Sequence, residues 1–171
     1  MWHDPLNAKR MVDNIAAALA ERDPAHRLEY LQRAADYRKK LDAAAAQVRA
    51  ILAEVPATSR KLVTNHDALG YYAKAYGLRI VGAVIPSVST QAEPSAGETA
   101  ALLRTIKREK VKAIFAESSV NPKLATTLAK EAGVKIVDDL YADSLGQPGS
   151  GAETLEGMWL YNARKIADAL K

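Results

Sequence analysis

Four short runs rich in β-branched residues alternate with helix-patterned stretches over the last two-thirds of the chain. That alternation constrains the fold more than any other feature. KLVTN at 61–65, LRIVGAVI at 78–85, VKAIFAE at 111–117 and VKIVDD at 134–139 read as strands. HDALGYYAKAY, SAGETAALLRTIKRE and NPKLATTLAKEAG lie between them and carry apolar residues at helical spacing. Strands that alternate with helices must run the same way through one sheet, joined by right-handed βαβ crossovers. The expected fold is therefore α/β, a four-stranded, mainly parallel sheet flanked by helices. AETLEGMWLYNARKIADALK closes the chain as an amphipathic helix, with Leu155, Met158, Trp159, Tyr161, Ile166 and Leu170 turned inward.

The first third has a different pattern. Asp4 can cap a helix whose first position is Pro5. Met11, Val12, Ile15, Ala18 and Leu19 then fall on one face. Asp23-Pro24 ends that helix, and a second is expected from about Ala25 to Val55. Its apolar stripe is Leu28, Leu31, Ala35, Leu41, Ala45, Val48 and Leu52, and Pro56 stops it. The chain thus divides into a helical arm over 1–56 and an α/β lobe over 57–171. Trp2 lies just ahead of the arm and needs a burial site.

Several function classes fall away on composition. The formal net charge of +4 comes from Lys and Arg scattered among acids, without the clustered face a nucleic-acid partner requires. The chain contains no cysteine, which excludes disulfides, thiolate metal sites and thiol catalysis. No apolar stretch reaches the length of a membrane span, and no signal peptide is read. Gly146, Gly149 and Gly151 match neither a Walker loop nor a dinucleotide fingerprint. No Ser sits in a GxSxG context.

Ligands of open parallel sheets bind at the carboxyl ends of the strands. The first strand ends at Thr64, Asn65, His66 and Asp67; the second leads into a long loop, PSVSTQAEPSAGE at 86–98, expected to border a site. The third ends at Glu117, Ser118 and Ser119; the fourth ends at Asp138 and Asp139, with Asp143 beyond. One imidazole with several carboxylates is a donor set for a divalent cation, and equally an acid/base set. The same residues also read as a capping His, a capping Glu117 and solvated loop carboxylates. The pattern of the chain leaves these alternatives open.

TNHDALGYYAKAYGL, VSTQAEPSAGE, IFAESSVNPKLATTLAKEAGV and DDLYADSLGQPGSGAETLEGMWLYNARKIADAL, in this order, resemble the C-terminal half of the zinc and manganese solute-binding proteins of ABC importers. WHDPLNAKRMVDNIAAALAERDP resembles that family's W-x-D-P segment and the helices after it. The resemblance implies a non-enzymatic metal receptor with two α/β lobes joined by a long helix, working in the periplasm or otherwise outside the cytoplasmic membrane. It implies that His66 and Asp143 are metal ligands, with Glu117, Ser118, Asn65 and Asp67 around them in the cleft. The metal is zinc, with manganese as the other candidate. The family's His before the Trp has no counterpart here, and His3 does not match it.

The expectation is therefore a C-terminal half that holds part of a coordination shell. The rest would come from an N-terminal lobe, and the partner in transport from an ABC permease subunit. Alone, such a half-site is open and binds weakly, and the exposed arm invites a homodimer. The competing expectations are an interaction module built on the arm, and a small-ligand α/β domain using the carboxylate-rich strand ends.

Overall fold

The computed structural model describes residues 1–85, 94–119 and 121–171. The loop expected to border the site falls largely at 86–93, outside the described residues. Among the described residues, six α-helices and four strands follow in the order α1 (Pro5–Arg22), α2 (Arg27–Ala53), β1 (Lys61–Thr64), α3 (Gly70–Tyr76), β2 (Arg79–Ala83), α4 (Ala96–Glu109), β3 (Ala113–Glu117), α5 (Lys123–Ala132), β4 (Lys135–Leu140) and α6 (Leu155–Leu170). The sheet order is β2-β1-β3-β4, and every pair is parallel.

Local chemistry explains the boundaries. Asp4 Oδ1 accepts from the Leu6 and Asn7 amides and Pro5 opens α1, as the sequence predicts. Ser95 and Glu98 form a reciprocal capping box at α4. Gly77 and Gly133 take φ of 68° and 69°, ending α3 and α5 in the left-handed conformation that glycine adopts without strain. One boundary differs from expectation: α3 starts at Gly70 instead of His66, because residues 66–69 form a turn closed by the Ala68 N–H on the His66 carbonyl.

Alternation along the buried strands divides the core into two layers. Leu62, Ala113, Phe115 and Leu140 face α2, α3 and α6, where Leu41, Val48, Leu52, Tyr72, Trp159 and Ile166 pack. Val63, Ile114 and Ala116 face α4 and α5, meeting Leu102, Ile106 and Leu128. The crossover from β1 to β2 thus lies on one face and the helices α4 and α5 on the other. The connection from β2 passes over β1 to reach β3, which makes the β1/β3 pair the topological switch point.

The arm departs from its expected packing. Only the C-terminal half of α2 is in the core: Leu41, Ala44, Ala45, Val48 and Leu52 are buried, whereas Leu28 is 82% exposed and Leu31 is exposed too. In α1 the buried residues are Pro5, Ala8, Ala16 and Ala20, while Ile15 and Leu19 are exposed. The buried face of α1 is made mostly of alanines, and larger apolar residues, Val12, Ile15, Leu19, Tyr30 and Tyr37, surround an open groove. Among the described residues no helix is long and apolar enough to cross a membrane.

Candidate metal centre

Because β1 and β3 are neighbours, the residues that follow them come together. Glu117 is the last residue of β3 and lies in register with Leu140 of β4. Asn65 continues the β1 ladder by donating its N–H to the Phe115 carbonyl at 2.9 Å. Its side chain turns back, and Asn65 Oδ1 accepts the His66 N–H at 3.0 Å, which fixes the start of the turn. His66 is thereby aimed across β3 and is only 8% exposed.

His66 sits between two carboxylates. Its Nδ1 lies 2.6 Å from Glu117 Oε1, and its Nε2 lies 3.4 Å from Asp143 Oδ2. The Nδ1 contact runs off the ring's N–H direction, and neither atom finds another hydrogen-bond partner among the described residues. Glu117 is 2% exposed, and Ser119 Oγ donates a long 3.4 Å bond to its Oε2. Burial, aided by the charge on Asp143, pushes the Glu117 carboxyl up to about 7. Asp143 is the open member, with half its side chain in solvent. One donor atom from each of the three residues fits within 4.8 Å of the others.

The loop bearing Asp143 is held from both sides. Asn162, fully buried on α6, accepts the Tyr141 N–H through Oδ1 and donates Nδ2–H to the Tyr141 carbonyl. One residue on, the Ala142 carbonyl accepts from Trp2 Nε1 at 2.9 Å and meets His3 Nε2 at 3.0 Å. His3 is 1% exposed, and burial pushes its imidazole down to about 4. The neutral ring therefore carries its proton on Nε2 to make this bond.

Not every carboxylate expected at the edge takes part. Asp138 and Asp139 lie within β4, and Asp139 turns to α6, where Tyr161 and Lys165 hold it. Ser118 is exposed and uses its N–H on the Leu140 carbonyl. Asp67 is exposed and lines the same open cleft as His66 and Asp143, a depression of about 1290 Å³ that Trp2 also borders. Glu117 caps nothing: the α5 start is served by Asn121 Oδ1, which accepts the Lys123 N–H. His3 and Trp2 had no assigned site role; they reach the Ala142 backbone from the far end of the chain, a contact no local spacing reveals.

The chain as a whole has counterparts among known proteins. Residues 1–169 match the profile of the family described as zinc-uptake complex component A, periplasmic. The manganese-binding lipoprotein MntA of Bacillus subtilis is 33% identical over 165 residues, which cover 94% of this chain and 53% of that protein. The zinc-binding protein TroA of Treponema pallidum is 34% identical over 175 residues, 99% of this chain and 56% of the relative. A solved structure of periplasmic zinc-binding TroA superposes with a TM-score of 0.89 at 34% identity, covering 99% of this chain and 62% of that one. The chain spans about half the length of the curated relatives it matches. On these grounds the chain belongs to the zinc-uptake component A family of periplasmic metal-binding proteins.

Proposed function

We propose that this chain is the metal-holding α/β lobe, residues 57–171, with its helical arm, residues 1–56, of an extracytoplasmic receptor that supplies zinc to an ABC permease. The spacing of His66 Nε2 and Asp143 Oδ2 carries this reading. At 3.4 Å the pair is longer than a good N–H···O bond. Two donors ~2.1 Å from one tetrahedral zinc lie about 3.4 Å apart, the edge of its coordination shell. His66 and Asp143 are the proposed ligands, and the imidazole favours zinc over manganese.

Glu117 has the supporting role. A metal-ligating His donates its second ring N–H to a carboxylate, which sets the tautomer and raises its basicity. Glu117 Oε1 lies 2.6 Å from Nδ1, so a small rotation of the ring or carboxyl aligns this bond and leaves Nε2 toward Asp143 and the cleft. Two protein donors leave a zinc shell half filled. The remaining ligands come, in this reading, from a further part of a longer receptor. A receptor must also release its cargo, so an open cleft built from a semi-exposed Asp143 suits delivery better than catalysis.

The manganese relatives leave that ion as the competitor, and parallel zinc and manganese titrations decide between them. The test of the ligand pair is calorimetry on the chain, His66→Ala and Asp143→Ala. Each substitution is expected to weaken zinc binding at least tenfold; unchanged affinity in both variants overturns the reading. In the isolated chain, the apolar groove of Val12, Ile15, Leu19, Tyr30 and Tyr37 is the proposed surface of self-association. Light scattering that stays monomeric over a wide concentration range contradicts that part.

A further inference from the structure

We infer that Trp2 and His3 are positioning residues that set the place of Asp143 by clamping the Ala142 carbonyl between two N–H donors. The inference rests on the reading of Asp143 as a zinc ligand and names what holds it. Among the described residues, the Asp143 side chain makes no hydrogen bond, and its polar approach there is the 3.4 Å one to His66. Its position is therefore decided by its backbone. On the N-terminal side that backbone is fixed twice, at Tyr141 by Asn162 and at Ala142 by Trp2 and His3.

The two donors are separated from Ala142 by 140 and 139 residues, so they tie the start of the arm to the ligand loop. They also differ in setting. His3 is sealed within the core, its ring edge-on to Tyr72 with centroids 6.2 Å apart. Trp2 is 39% exposed and lies on the cleft wall beside His66 and Asp143. Any displacement of the arm's first residues therefore moves a carbonyl one peptide away from the cation ligand. A shift of a fraction of an ångström at Asp143 changes the donor spacing that selects a tetrahedral ion.

Trp2→Phe removes one donor and keeps an aromatic ring at the position. His3→Leu removes the other and keeps an apolar body, while His3→Gln restores an N–H that reaches the same carbonyl. Zinc affinity, measured by calorimetry on the chain, is expected to fall about three- to tenfold for Trp2→Phe and for His3→Leu, the range of one hydrogen bond. It should stay within about twofold of the parent for His3→Gln. In an Asp143→Ala background the Trp2→Phe and His3→Leu losses should vanish, because their effect passes through that carboxylate. The Gly146 amide, which bonds to the Ala152 carbonyl further along the loop, reports loosening of the loop in metal-free protein by faster hydrogen exchange.

The outcomes separate the two claims. If Asp143→Ala alone leaves zinc affinity unchanged, the ligand assignment fails and this inference fails with it. If Asp143→Ala weakens zinc but Trp2→Phe and His3→Leu cause the same loss in both backgrounds, or none in the parent, the clamp alone is overturned. Failure of His3→Gln to restore affinity likewise assigns His3 to packing.

Discussion

Glu117→Gln should move stability and metal affinity in opposite directions. The carboxyl is 2% exposed, and its ionisation is displaced from 4.5 to about 7 by burial and by Asp143. A folded-state value raised above the unfolded one means that the carboxyl's contribution is fully present below about pH 4.5 and is lost as pH rises through 7. That displacement corresponds to at most about 3 kcal/mol at pH 8. Gln fills the same space and does not titrate, so the metal-free variant should gain stability over the parent at pH 8 and show little gain at pH 5. Zinc affinity should nevertheless fall about ten- to a hundredfold, because a neutral amide polarises the His66 Nδ1–H less than a carboxylate does. Guanidinium unfolding at both pH values without metal, with calorimetric zinc titration near pH 7.5, gives both numbers. A variant that is less stable at pH 8 and binds zinc as the parent does would refute the assignment of Glu117 as a strained carboxylate kept for His66.

Other perturbations test the packing and the second imidazole. His3 is held neutral with its value lowered from 6.5 to about 4, so the stability tied to it is complete above pH 6.5 and drains as pH falls toward 4. The groups facing it are the Ala142 carbonyl, the N-terminal ammonium, the Asp143 charge and the Tyr72 ring. Relative to His3→Gln, the parent should lose up to about 3 kcal/mol across that window in denaturant titrations; parallel pH profiles refute this. Leu41→Ala, at a site with 0% exposure, should cost about 2–5 kcal/mol. Leu28→Ala, 82% exposed, should stay within about 0.5 kcal/mol by the same assay. A Cβ on Gly82 would come 2.6 Å from Leu102 Cδ1, so Gly82→Ala should destabilise by about 1–3 kcal/mol, read as a lower guanidinium midpoint.

The α/β part was legible in the sequence because its strands are short β-branched runs between clear helical periods. KLVTN and VKAIFAE differ from the observed strands by only two residues at most. The arm was less legible. Periodicity ranks Leu28 and Ile15 as core positions, yet both are exposed and the buried residues of α1 are Pro5, Ala8, Ala16 and Ala20, whose small size a hydrophobicity pattern undervalues. The strand order was not written in the chain either. Nothing local says that β3 inserts beside β1, and without that adjacency Glu117 and His66 are merely two polar residues at separate strand ends. Asp139 shows the converse: a strand-end acid by pattern, it is claimed by Tyr161 and Lys165 on α6. The Trp2–His3 contact escaped because its acceptor is a backbone carbonyl, which has no residue signature.

Which nitrogen of His66 faces the cation decides whether His66 and Asp143 act as a ligand pair backed by Glu117. Zinc titration of the ¹⁵N-labelled chain, followed through the His66 ring nitrogens, measures it directly, with His66→Ala assigning the resonance. Nε2 is expected to shift to the metal-bound position while Nδ1 remains protonated against Glu117. Coordination through Nδ1, or a His66 ring that zinc leaves unchanged, would contradict it.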